Sequence, residues 1–113
     1  MIETIVKDYL ETKTDIPVRF ERTPEMPAEC IILEKTGGSY DEQIYTATIA
    51  AQSYGATLAE AASLNEEVVG WMLDIRDAVT NVFDISLNSD YNFTDTAAKR
   101  YRYQAVFIIT YHD

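Results

Sequence analysis

The sequence predicts an α+β domain: an antiparallel sheet of four to five strands, with a short N-terminal helix and one long helix packed on one face. Three observations predict it. Apolar residues recur at steps of three and four in two separate windows, one at the N-terminus and one after Gly55. Between and beyond those windows the pattern switches to alternation, over Cys30–Tyr54 and again over Lys99–His112. At 113 residues, 47% of them hydrophobic and none in a biased segment, the chain has the size and composition of one domain spanning 1–113 around a single core.

The elements follow in order. Ile2, Ile5, Val6, Tyr9 and Leu10 share one helical face, opposite Glu3, Lys7, Asp8 and Glu11. Asp15-Ile16-Pro17 ends that helix, Val18-Arg19-Phe20 suits a brief edge strand, and the two prolines of Thr23–Pro27 make a surface loop. Cys30–Thr36 and Gln43–Tyr54 read as a hairpin, reversed at Gly37-Gly38-Ser39 with positive φ and a loop lengthened by Tyr40–Glu42. One face of its second strand, Ile44, Thr46, Thr48, Ala50 and Gln52, is the more polar, hence wetter or shared with a partner. Thr57 and Glu60 form a capping box, and Ala61, Leu64, Val68, Met72, Ile75, Val79 and Val82 then extend a long helix. Gly70 in its interior costs about 1 kcal/mol against alanine, which hints at a close approach to the backbone. A strand over Asp84–Asn88, a polar loop over Leu87–Thr96 and a final interior strand over Lys99–His112 complete the domain.

Charge and cysteine usage exclude several functions. Net charge is −10, all of it in residues 1–86, which hold 16 acids and 6 bases, whereas residues 87–113 balance Asp90, Asp95 and Asp113 with Lys99, Arg100 and Arg102. Such a body repels nucleic acid and anionic membranes within a Debye length of roughly 8 Å at physiological salt. Specific nucleic-acid binding and membrane association are therefore not expected. Cys30, alone in an apolar run, has no partner for a disulfide or a zinc site and reads as a buried hydrophobe. Met1–Ile5 lacks the basic stretch and apolar core of a signal peptide, so the expected compartment is a reducing cytosol, unless the protein leaves as part of an assembly.

No constellation for catalysis or cofactor binding emerges. Asp90-Tyr91-Asn92-Phe93-Thr94-Asp95 begins like a calcium loop, but aspartate stands where glycine makes the turn and Tyr101 where a bidentate glutamate belongs. Asn92-Phe93-Thr94 is formally a glycosylation acceptor, which indicates an exposed turn. The lone His112, one residue from the end, reads as part of a frayed terminus, and Glu66, Glu67, Asp74 and Asp77 read as solvated helix acids. What remains is surface. Lys99-Arg100-Tyr101-Arg102-Tyr103 interleaves cations with aromatics and is suited to meet the acidic body of another subunit or protein; its plainer reading is the solvated start of a strand.

The order short helix, hairpin, long helix, hairpin, together with "IAAQSYGATLAEAASLNEEV" and above all "LNSDYNFTDTAAKRYRYQAVFIITYH", resembles the small tail-terminator or tail-completion proteins of long-tailed bacteriophages and prophages. The resemblance implies an α+β structural protein without catalytic residues, cofactor or metal. It implies a hexameric ring, placed in the virion tail after assembly in the host cytoplasm. Its partners would be the tail tube protein and the head-completion protein, with DNA passing through the ring. The expected contact residues are Asp90, Tyr91, Asn92, Phe93, Thr94, Asp95, Lys99, Arg100 and Arg102, with Tyr91 and Phe93 at the tip of a loop that orders on docking. The alternative from another class is an acidic DNA mimic that inhibits a nuclease or DNA-binding protein.

Overall fold

Two helices and five strands make up the architecture of the computed structural model, which describes residues 1–112. Helix α1 (Ile2–Glu11) buries Ile2, Val6, Tyr9 and Leu10, four of the five residues that its sequence stripe places on one face. Strand β1 (Val18–Arg19) runs parallel to the start of β2 (Cys30–Asp41), whereas β2 with β3 (Ile44–Gly55), β3 with β5 (Tyr101–Tyr111) and β5 with β4 (Val82–Asn92) are antiparallel. The order across the sheet is β1-β2-β3-β5-β4. The expected α+β architecture is thus present, with α1 and α2 (Leu58–Leu73) on the same face of the sheet.

The core lies between that face and the helices. Residues directly opposite on neighbouring strands share a face, so Ile31 and Leu33 of β2, Ala47, Ile49 and Ala51 of β3, and Ala105, Phe107 and Ile109 of β5 all meet Leu64, Val68 and Met72 of α2. The capping box is formed: Thr57 Oγ1 accepts from Glu60 N–H at 3.1 Å, while Glu60 Oε2 accepts from Ala56 N–H at 3.0 Å. Gly55 is buried just before it, because a Cβ there would sit 2.5 Å from the Ala61 nitrogen. Tyr9 fastens α1 to α2 by donating its hydroxyl to the Trp71 carbonyl at 2.6 Å.

Four sequence expectations need correction. The hairpin does not reverse at Gly37-Gly38-Ser39. Strand β2 runs on to Asp41, no glycine has positive φ, and the two-residue turn is Glu42 (φ 48°) and Gln43 (φ 70°). The glycines serve closeness instead of reversal: they follow a register shift between Lys35 and Gly37, and a Cβ on Gly38 would lie 3.0 Å from the Thr46 carbonyl oxygen. Helix α2 ends at Leu73, with Asp74 at its negative pole and no basic residue in its last turn. A turn of 3₁₀ helix over Ile75–Asp77 follows, and Val82 opens β4; the apolar spacing continues because Ile75, Val79 and Val82 still face the core.

The third correction concerns Gly70, which has nothing within 4 Å of where its Cβ would be, so no neighbour of its own chain demands a glycine there. The fourth concerns His112. Far from fraying, it donates its N–H to the Asn81 carbonyl at 2.9 Å, accepts from Asn81 Nδ2 at 3.2 Å, and sets its ring 4.9 Å from that of Phe83.

Candidate assembly surface

No helix covers the other face of the sheet; the β1–β2 loop closes over its β2 end, where Cys30, Ile32 and Tyr54 are buried, and the rest is open. Its register brings Cys30 and Ile32 of β2, Thr48, Ala50, Gln52 and Tyr54 of β3, Arg102, Gln104, Val106 and Ile108 of β5, and Ser86, Ser89 and Tyr91 of β4 to one side. At the end where β5 begins, these side chains form a polar lattice. Arg102 Nη1 donates to the Tyr54 hydroxyl at 2.9 Å, which donates to Gln52 Oε1 at 3.3 Å. Gln52 Nε2 donates to Gln104 Oε1 at 2.9 Å, and Gln104 Nε2 donates to the Tyr91 hydroxyl. Three strands are thereby tied by side chains as well as backbone.

Cations and rings alternate along the same end. Arg22 stands 5.0 Å from the centre of the Tyr54 ring, and Arg102 lies 5.7 Å from that ring and 4.4 Å from Phe93, which in turn meets Tyr91 edge-on at 5.7 Å. Such stacks favour arginine, whose planar guanidinium lies on an aromatic face and still donates at its edge. Beneath them Cys30, Ile32 and Tyr54 form a small second core with Met26 of the β1–β2 loop. Burial pushes the Cys30 thiol up, against a smaller downward pull from Arg22, so it is held as a neutral hydrophobe.

The contact residues expected from sequence are brought into one hairpin end but not into one loop. Asp90, Tyr91 and Asn92 belong to strand β4. Asp90 turns toward the helices and accepts from the buried Asn65 Nδ2 at 2.7 Å, whereas Tyr91 faces the open side. Asn92 Oδ1 accepts from Thr94 N–H at 3.0 Å, and Phe93 N–H donates to the Arg102 carbonyl at 2.9 Å. Thr94 Oγ1 lies 3.3 Å from both the Arg102 nitrogen and its carbonyl oxygen. Asp95 and Arg100 exchange both backbone hydrogen bonds, at 3.0 and 3.1 Å. The polar loop expected over Leu87–Thr96, with Tyr91 and Phe93 at its tip, is therefore a strand and its ladder-like continuation. The true tip is Thr96–Lys99, where Lys99 adopts φ 53°.

This arrangement splits the cations. Arg102 is bound within the lattice and also donates Nε to the Phe93 carbonyl at 2.6 Å. Lys99 and Arg100 are exposed, and among the described residues the only ion pairs are Lys7–Glu11 at 3.0 Å and Arg76–Asp84 at 3.9 Å. Sequence reasoning placed Gln52 on a face wetter or shared with a partner, but missed Arg22, Tyr54 and Gln104 as members of the surface. Alternation along each strand was the available signal, but the pairing of Gln52 with Gln104, 52 positions apart, needs the register. No cluster of His, Cys, Asp and Glu able to hold a metal ion occurs among the described residues, and no described helix is long and apolar enough to cross a membrane. No protein-family model matches the chain, and no curated protein is significantly similar to it.

Proposed function

We propose that this chain is a structural protein of the long-tailed phage tail, which terminates the tail tube and joins it to the head connector as a ring of identical subunits and makes no bonds of its own. The observation that supports it is the separation of unlike surfaces. Lys99 and Arg100 project unpaired from the tip of the β4–β5 hairpin, while α1 and α2 present exposed Asp8, Glu66 and Glu67 to solvent, with exposed Asp74 just past the end of α2. A ring needs a heterologous contact, in which one patch meets a different patch on the next subunit. An unpaired cationic tip and an acidic flank on one molecule supply two such patches. A lumen lined by acids would let DNA slide without sticking.

The test is reversal of the tip, Lys99→Glu with Arg100→Glu. Both side chains are exposed and outside the lattice, so the variant should melt like the parent. Rings seen in negative stain, and joining of purified tail tubes, should be lost. Persistence of both would refute the reading, and a monomer that instead captures a nuclease would favour the DNA-mimic alternative.

A further inference from the structure

A groove opens at the end of the molecule farthest from the β4–β5 tip. Ile5, Asp8, Tyr9 and Thr12 of α1 face Ala78 and Val79, just ahead of β4, across a space of about 340 Å³. Its lining is largely apolar and its surroundings are acidic. Asp8 borders it directly. The Tyr9 hydroxyl is raised above its ordinary value, chiefly by burial and then by Asp74 and Asp77, so both of those acids lie near it as well. None of the three acids is in an ion pair among the described residues. Helix α2 adds to the field, because its negative pole ends at Asp74 with no basic residue in the last turn. Of the neighbouring cations, Lys13 lies 5.5 Å from the centre of the Tyr9 ring, and Arg76 reaches away to Asp84 on β4. Three acids and a helix pole against one lysine leave the groove negative.

The opposite sign stands at the other end. Lys99 and Arg100 are exposed and unpaired there, beside the small Ala97 and Ala98. The one acid next to them, Asp95, accepts from the Ala98 N–H at 3.1 Å. The tip leads directly into Tyr101, whereas Val79 precedes Val82, the partner of Tyr111. Strand β5, 11 residues at roughly 3.3 Å each, thus separates tip from groove by about 35 Å, in a molecule 44 Å long. No copy can fill its own groove with its own tip.

We infer that the groove between α1 and Ala78–Val79 receives the β4–β5 tip of the next copy, with Ala97 and Ala98 against its apolar lining and Lys99 and Arg100 among Asp8, Asp74 and Asp77. The contact rests on the ring reading and supplies the socket for its cationic tip. Tip and socket lie at opposite ends of one chain, so the contact is heterologous and repeats from copy to copy, closing into a ring where the rotation between copies allows. The groove is at the lower end of the roughly 300–1,000 Å³ of ligand-sized clefts, which suits a narrow tip led by two alanines. Glu66 and Glu67 are the poorer match, because they stand in mid-helix with no negative pole behind them.

Groove reversal and paired cross-linking test it. Asp8→Lys with Asp77→Lys should weaken self-association about tenfold or more in sedimentation and abolish rings in negative stain. Adding Lys99→Glu with Arg100→Glu to that protein should restore both. Glu66→Lys with Glu67→Lys should leave rings intact; the two reversals change net charge equally, so their comparison separates place from total charge. At near-millimolar protein under diamide, Ala98→Cys with Ala78→Cys should give a ladder of covalent multimers, and Ala98→Cys with Ser63→Cys should not. The native Cys30 is fully buried and stays out of the reaction. Thermal melts separate loss of contact from loss of fold, and the ladder reads the contact without any reversed charge. Rings that survive groove reversal, a parent chain that stays monomeric and yields no ladder, or an equal ladder from the Ser63→Cys pair overturns the inference. Where tip reversal still abolishes rings that groove reversal leaves, the ring reading stands and only its socket is wrong; rings that survive tip reversal overturn both.

Discussion

Replacing Arg102 with alanine should cost the fold, and the structure sets the size of the loss. The side chain makes two charge-assisted hydrogen bonds, to the Tyr54 hydroxyl at 2.9 Å and the Phe93 carbonyl at 2.6 Å, and stacks on two rings. A hydrogen bond from a charged donor contributes about 1.5 kcal/mol at the low end, which suits a half-exposed site. Each partly exposed cation–π contact adds about 0.5–1 kcal/mol. Against these stands about 2 kcal/mol of side-chain entropy released when the arginine is removed. The net loss is about 2–3 kcal/mol. For a domain of this length about 4 °C of melting temperature accompanies each kcal/mol, so Arg102→Ala should melt about 8–12 °C lower by circular dichroism. Lys99→Ala and Arg100→Ala should stay within about 0.5 kcal/mol of the parent. Arg102→Lys keeps the charge but not the planar fork and should recover little. An Arg102→Ala protein that melts with the parent would show that the lattice is ornament, and that all three cations are free for assembly.

Other substitutions probe the remaining corrections. Glu42 and Gln43 both hold positive φ, so Glu42→Asn with Gln43→Gly should raise stability by about 1 kcal/mol in urea titration, as the favoured residues for a two-residue hairpin turn do. Gly70→Ala, with open space at its Cβ, should stabilise by about 1 kcal/mol. By contrast Gly55→Ala should destabilise by about 1–3 kcal/mol or more, because its Cβ would press on the α2 backbone at 2.5 Å. Tyr9 should make stability fall in alkali: burial chiefly, with Asp74 and Asp77, raises its hydroxyl above the ordinary value of 10.0. The folded state then holds that proton longer than the unfolded chain. Its contribution is intact below about pH 10 and lost as pH rises toward the folded-state pKa. Tyr9→Phe should flatten that decline in urea titrations across alkaline pH, while costing about 1 kcal/mol at neutral pH for the lost bond to Trp71.

What the sequence reveals is what its local rules govern. The stripe of α1 and the Thr57/Glu60 box each involve residues within one or two turns, and both are formed in the structure. The hairpin turn falls away from the glycines because glycine is a local signal, while the register of β2 on β3 is set by distant burial. Ile31 and Leu33 must lie in the core opposite Ser53 and Ala51, and the shift after Lys35 then carries the pairing on to Asp41 and Ile44. Residues Ser89–Asn92 read as a loop because they are polar, yet β5 supplies a ladder that holds them as an edge strand. The Gln52–Gln104 bond depends on that same register and has no local trace.

The three cations near the end of the chain show why adjacency in sequence is a poor guide to shared use. Alternation along β5 turns Arg102 onto the open face, where two rings and two oxygens hold it. The left-handed Lys99 and the backbone pairing of Asp95 with Arg100 instead carry the preceding two cations beyond the sheet. One arginine therefore helps to define the shape of a flat face, and the other pair defines the sign of a tip. These are different physical instruments. A contact made by exposed charges at a tip weakens as salt shortens the Debye length, whereas a contact made by uncharged β-branched residues on a sheet depends on the area removed from water. The negative body makes any exposed cation an attractive end.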